Sequence, residues 1–150
     1  VPLLIRLPGG TEAGTTRDDL CQHQDFFRTI CSLMGQDVPD ELAADGRDLF
    51  DAGAAAPEKV ITAWSTNVGV RSTDWNLVID STGTGDRKEL YDLRADPEEK
   101  QNVYDEHPDV VKEYMAFLGS TLGPPPYEVR HTGDNRQAPP LVVTRAMHRK

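Results

Sequence analysis

Residues 70–102 constrain the fold most. Two runs of β-forming residues, Trp75-Asn76-Leu77-Val78-Ile79 and Glu89-Leu90-Tyr91-Asp92-Leu93, flank the small-residue segment Ser81-Thr82-Gly83-Thr84-Gly85-Asp86-Arg87. Apolar strands joined by a Gly-rich turn read as an antiparallel hairpin. Two further strand-like runs precede it, residues 59–65 and 68–71, joined at Thr66-Asn67. Short strands separated by tight turns predict an antiparallel sheet of four. The last strand leads into Asp96-Pro97-Glu98-Glu99. Asp as N-cap, Pro at the first helical position and Glu three residues after the cap form a helix-start signature. A second start lies at His107-Pro108-Asp109, and from there Val111, Met115, Leu118 and Leu122, with Val110, Tyr114 and Phe117, make an apolar stripe. A helix with that stripe can cover one face of the sheet before Gly119, Gly123 and three prolines end it. The fold class is therefore α+β.

The N-terminal residues follow a different pattern. Val1-Pro2-Leu3-Leu4-Ile5-Arg6-Leu7 is apolar without alternation, the signature of a strand buried on both faces. Residues 18–34 carry Leu20, Phe26, Phe27, Ile30, Leu33 and Met34 at helical spacing. Asp18 and Asp19 are placed to cap that helix, and Gly35 to end it. Residues 36–50 read as irregular, with a break at Val38-Pro39 and a turn at Asp45-Gly46, and residues 51–57 as an exposed loop. Residues 124–150 show little periodicity beyond Leu141-Val142-Val143 and are expected to be an extended tail. The chain has no initiator Met, and Val1 already lies inside a strand-like run, so the expectation is a portion of something longer.

Charge and cysteine content exclude several classes. A net charge of −9 over 150 residues, with a pI of about 4.8, argues against a nucleic-acid partner, which needs a basic face. The basic end, Arg145, His148, Arg149 and Lys150, reads as a solvated tail. No apolar run reaches the ~20 residues that span a membrane. Cys21 and Cys31, on one continuous helix, would lie about 15 Å apart, too far for a disulfide. Two cysteines alone cannot make a zinc site, and they read as small buried hydrophobes.

Little in the residues alone announces chemistry. His23 and Asp25 are two apart on a helix and do not share a face, so they make no dyad. Asp92, Asp96, Glu98 and Glu99 cluster without the alternating oxygen ligands of a calcium loop. The segment 81–85 has glycines but no following Lys, and the serines lack a nucleophile elbow.

Five segments in fixed order do carry a resemblance. Residues 1–9 resemble the strand "VPLIIRWPG" of the sulfatase family, the formylglycine-dependent branch of the alkaline-phosphatase-like hydrolases. Residues 24–35 are similar to that family's Asp-containing helix, with Arg28 where proline is usual. Asp45-Gly46-Arg47-Asp48-Leu49 resembles "DGrSL"; residues 70–79 resemble "VRTdrwKLI", with Asn76 replacing lysine; and residues 89–102 are similar to "ELYDLenDPgEknN". The resemblance runs from Val1 to Leu118.

In that family a cysteine in Cys-x-Pro/Ala-x-Arg becomes formylglycine, whose hydrate attacks sulfur. A divalent cation, usually calcium, neutralises the sulfate oxygens. Neither Cys21 nor Cys31 has the motif, and Gly133-Asp134-Asn135 is followed by Arg136 where the metal-binding element has glycine. The resemblance therefore implies a C-terminal portion only. Residues 1–57 would be the end of the α/β catalytic domain, a strand and a helix. Residues 58–123 would be the antiparallel subdomain and 124–150 the tail. No cofactor, metal ligand or catalytic residue is expected in this chain. The implied partner is the missing N-terminal catalytic portion, with a sulfate ester as substrate of the joined enzyme. Arg71, at a hairpin start, and His23 are the candidates for substrate-facing cations. Two alternatives are a binding module retaining this fold without chemistry and a fragment of a related phosphoester or phosphonate hydrolase.

Overall fold

The computed structural model describes residues 3–38, 46–131 and 141–144. Four strands, β1 (Val60–Trp64), β2 (Asn67–Arg71), β3 (Trp75–Asp80) and β4 (Lys88–Asp92), form one antiparallel sheet in the order β1-β2-β3-β4. The register pairs Ile61 with Val70, Val70 with Leu77, and Leu77 with Leu90. Because successive side chains alternate across a strand, this row defines one apolar face. Val68, Val70, Leu77 and Leu90 on that face are fully buried against Leu118 of helix α2 (Pro108–Leu122), with Val111 and Tyr114 beside it. Each such aliphatic burial is worth about 1.5–3 kcal/mol. The α+β architecture and the covering helix expected from the sequence are present.

Two segments leave their expected form here. Asp96-Pro97-Glu98-Glu99 makes a turn and no helix. The Asp96 Oδ2 accepts from the backbone N–H of Lys100 and Gln101, at 2.6 and 2.7 Å. Glu99 then enters the left-handed region at φ 55°, which stops helical propagation. In the C-terminal residues, β5 (Glu128–His131) pairs antiparallel with β6 (Leu141–Thr144), a hairpin absent from the expectation of an extended tail. β6 includes the Leu141-Val142-Val143 run; its β-branched residues favour pairing.

The N-terminal segment also departs. Residues 3–7 form no strand among the described residues, and Leu3, Leu4 and Ile5 are exposed. A run apolar on both faces needs neighbours on both sides to pair its backbone and cover its side chains, and the described residues supply none. Helix α1 spans His23–Leu33, shorter than residues 18–34. Asp18 and Asp19 do not cap it. Gln22 and Asp25 form a reciprocal capping box, while Asp19 pairs with Arg17 and Arg47. Gly35 does close the helix, at φ 67°, with its N–H donating to Ser32 O. Cys21 and Cys31 are free thiols, and Cys21 is exposed outside the helix.

Asp25 and Thr29, the buried residues of α1, tie the helix to the segment from Gly46 to Phe50. Asp25 Oδ1 accepts from Arg47 N, and Thr29 Oγ1 accepts from Leu49 N while donating to Asp25 O. Gly46 lies so close to α1 that a Cβ there would meet Gln24 O at 2.2 Å. Asp45 falls outside the described residues. Among the described residues nothing covers the other side of α1: Phe27, Ile30 and Leu33 are 49%, 55% and 49% exposed.

Candidate functional site

Opposite α2, the sheet carries polar side chains. Arg71, Asn76 and Tyr91 stand in register across β2, β3 and β4, on the face that alternation turns away from Val70, Leu77 and Leu90. The turn from β2 to β3 is fixed by Ser72. Its Oγ accepts from Asp74 N and Trp75 N at 3.0 Å each and from the Tyr114 hydroxyl at 2.7 Å. Arg71 is thus anchored one residue from a buried hydrogen-bond centre tied to α2.

Glu99 closes the cluster from the turn after β4. Its carboxylate accepts from Arg71 Nη1 at 2.6 Å and from Asn76 Nδ2 at 3.0 Å. The Arg71 side chain is 40% exposed, so its guanidinium is ion-paired yet open to solvent. Burial pushes the Tyr91 phenol up from its ordinary value, and the neighbouring Glu89 carboxylate adds to the effect. The cluster contains one full cation and a net charge near zero. It can orient an anionic group but offers no nucleophile and no acid–base pair.

His23 occupies the first position of α1, exposed and edge-to-face with Phe26 at 5.4 Å between ring centroids. No hydrogen bond or ion pair joins it to Arg71. A backbone frame links the two: Gln22 Nε2 donates to Ile61 O at 2.8 Å, and Ile61 pairs with Val70 beside Arg71. Asp25, buried while His23 is exposed, faces away from it, and the pair makes no dyad. Glu99 and Tyr91 are not among the site residues that the sequence suggests. The signal for Glu99 is present in Asp96-Pro97-Glu98-Glu99, but in sequence it reads as capping.

An open groove of about 610 Å³ lies elsewhere, between the end of α1 and the segment from Gly46 to Ala54. Two arginines and three aspartates line it. Arg28 Nε donates to Gly46 O and the Arg47 backbone N–H to Asp25, so both arginines hold structure together. The ion-paired cluster on the sheet has the stronger chemical case. Among the described residues, no three His, Cys, Asp or Glu side chains converge to hold a metal, so the donors here do not fit a divalent cation. No helix among the described residues is long and apolar enough to cross a membrane.

Residues 1–119 match the family described as N-sulphoglucosamine sulphohydrolase, C-terminal. The chain belongs to that sulfatase family. Two curated sulfatases of Bacteroides thetaiotaomicron are similar to it. An N-acetylgalactosamine-6-O-sulfatase is 26% identical over 137 residues, covering 80% of this chain and 27% of the relative. An N-acetylglucosamine-6-O-sulfatase is 28% identical, covering 81% and 24%. The chain therefore spans about a quarter of the length of these sulfatases. Two solved structures from a glycosaminoglycan-metabolism locus of the same organism share the fold. One superposes with a TM-score of 0.52 at 24% identity over 65% of this chain and 24% of its own. The other gives 0.59 at 18% identity over 72% and 28%. The antiparallel sheet and most of its covering helix lie within the matched residues 1–119.

Proposed function

We propose that this chain is the C-terminal portion of an enzyme that hydrolyses sulfate esters of amino sugars, with the nucleophile and the metal ligands supplied by the remainder of that enzyme. The observation that carries the reading is the family match over residues 1–119 in a chain that spans about a quarter of its sulfatase relatives. The uncovered apolar side of α1 supports it, since Phe27, Ile30 and Leu33 would be buried by a neighbouring catalytic portion. The similar sulfatases act, by their names, on 6-O-sulfated N-acetylgalactosamine and N-acetylglucosamine, and the same substrate class is proposed here. Residues 1–57 would complete the catalytic domain, 58–123 form the subdomain and 124–150 its extension.

Within this reading the calcium and formylglycine chemistry belongs to the missing portion. Arg71 faces the substrate cleft as a fixed cation, and His23 is the second, more peripheral contact. A fixed guanidinium lowers the energy of a bound oxyanion without needing to reorganise.

A chimera tests the proposal. The corresponding C-terminal quarter of the Bacteroides N-acetylglucosamine-6-O-sulfatase is replaced by this chain, and sulfate release from N-acetylglucosamine 6-sulfate is measured. The expected result is turnover by the chimera and none by the purified 150-residue chain. Turnover by the isolated chain, or a folded chimera inert toward every sulfated sugar, would sink the idea.

A further inference from the structure

We infer that Glu99 is a positioning residue, held in a strained backbone conformation so that its carboxylate fixes Arg71 for an anionic group of the substrate. This rests on the proposal above that Arg71 faces the substrate.

The first observation is the backbone. Glu99 has φ 55°, a left-handed conformation that costs a non-glycine residue about 1–2 kcal/mol. Glycine would adopt it without that penalty.

The second observation is that the turn does not need the Glu99 side chain. Asp96 Oδ2 holds Lys100 N and Gln101 N, and Asp96 O holds Glu99 N. Upstream, Asp92 Oδ1 accepts from Arg94 N and Ala95 N, and Arg94 grips Asp74 through two nitrogens at 2.6 and 3.0 Å. Turn closure therefore explains the path of the chain but not the presence of glutamate at its strained point.

What glutamate adds is one carboxylate shared between Arg71 and Asn76. Among the described residues it is the sole hydrogen-bond partner of the Arg71 guanidinium, which is engaged through Nη1. A guanidinium is a planar fork of five N–H donors, so the bond at Nη1 restrains its position and leaves the other donors for an oxyanion. The predicted ligand chemistry is a sulfate or carboxylate group on a sulfated sugar.

The test uses the full chain with N-acetylglucosamine 6-sulfate as probe. Affinity is read from backbone amide shifts around Ser72 and Lys100, and fold from the thermal midpoint. Glu99→Gly is expected to leave the midpoint nearly unchanged, because relief of the left-handed backbone offsets the buried Asn76 donor it strands, while weakening binding roughly fivefold or more, approaching the loss in Arg71→Ala. In the Arg71→Ala background, Glu99→Gly should add little, because the residue it positions is gone. Glu99→Gln, which keeps length and an acceptor, should recover part of the affinity. Should Glu99→Gly lower the midpoint and leave affinity unchanged, Glu99 is a structural tie and the inference is overturned, while Arg71 keeps its role. Should the wild-type chain and Arg71→Ala bind alike, the reading of Arg71 falls, and the inference with it.

Discussion

At the scale of single residues, the N-terminal part depends on Asp25. Its two oxygens accept from Gln22 N and Arg47 N at 2.8 and 2.9 Å while the side chain is buried. Removing a buried charged acceptor loses both bonds and strands both donors. Asp25→Ala should therefore lower stability by about 2–4 kcal/mol. Hydrogen exchange should show the loss first at Gln22 and Arg47, before the sheet opens. Gly46 is constrained by proximity: a methyl on its Cα would sit 2.2 Å from Gln24 O, so Gly46→Ala must push backbone apart. The expected loss is about 1–3 kcal/mol, and denaturant titration followed in α1 would measure it.

At the scale of elements, α2 is joined to the sheet by polar contacts as well as packing. Tyr114→Phe removes the donor to Ser72 Oγ and should cost about 0.5–1.5 kcal/mol, seen as a lower urea midpoint with an unchanged slope. Lys59, just before β1, pairs with Glu113 of α2 at 2.7 Å and lies over the Tyr114 ring. The Glu113 hydrogen bond raises the Lys59 ammonium above its ordinary 10.5, and burial opposes this. A pKa higher in the folded state means that folding tightens proton binding. The stabilisation is therefore complete below the unfolded value of 10.5 and disappears as pH rises through the folded one. Lys59→Met should accordingly show a constant deficit of about 0.5–1 kcal/mol at neutral pH that shrinks above about pH 10.5. A deficit independent of pH would show that the loss comes from packing alone.

At the scale of the whole molecule, the uncovered stripe of α1 is the feature that a free chain tolerates and a joined enzyme would use. Phe27→Glu with Ile30→Glu replaces two half-exposed apolar side chains. In the isolated chain it should change stability by no more than about 0.5 kcal/mol and reduce binding of a hydrophobic dye. In the sulfatase chimera the same pair should abolish sulfate release, because two carboxylates would be buried without partners. Full activity of that variant chimera would remove the catalytic portion as the cover of α1.

Local periodicity, turn residues and motif order are enough to specify the sheet, the covering helix and the family from the sequence. Trp75–Asp80 is legible as a strand from its own side chains, and α2 from its own stripe and its Pro and Gly boundaries. The start of α1 is not legible in this way. Asp18, Asp19, Gln22 and Asp25 all sit near it, and the Asp25 contact to Arg47, 22 residues away, is not a local signal. The apolar run of residues 3–7 is legible in composition but not in outcome, since a strand exists only with neighbours to pair it. The site emerges from tertiary contacts. They take Glu99 from an expected helix start, turn it left-handed and set its carboxylate between Arg71 and Asn76. Those partners lie 28 and 23 positions away in the chain. They meet Glu99 because strand register and a turn, not sequence spacing, fix where the three side chains lie.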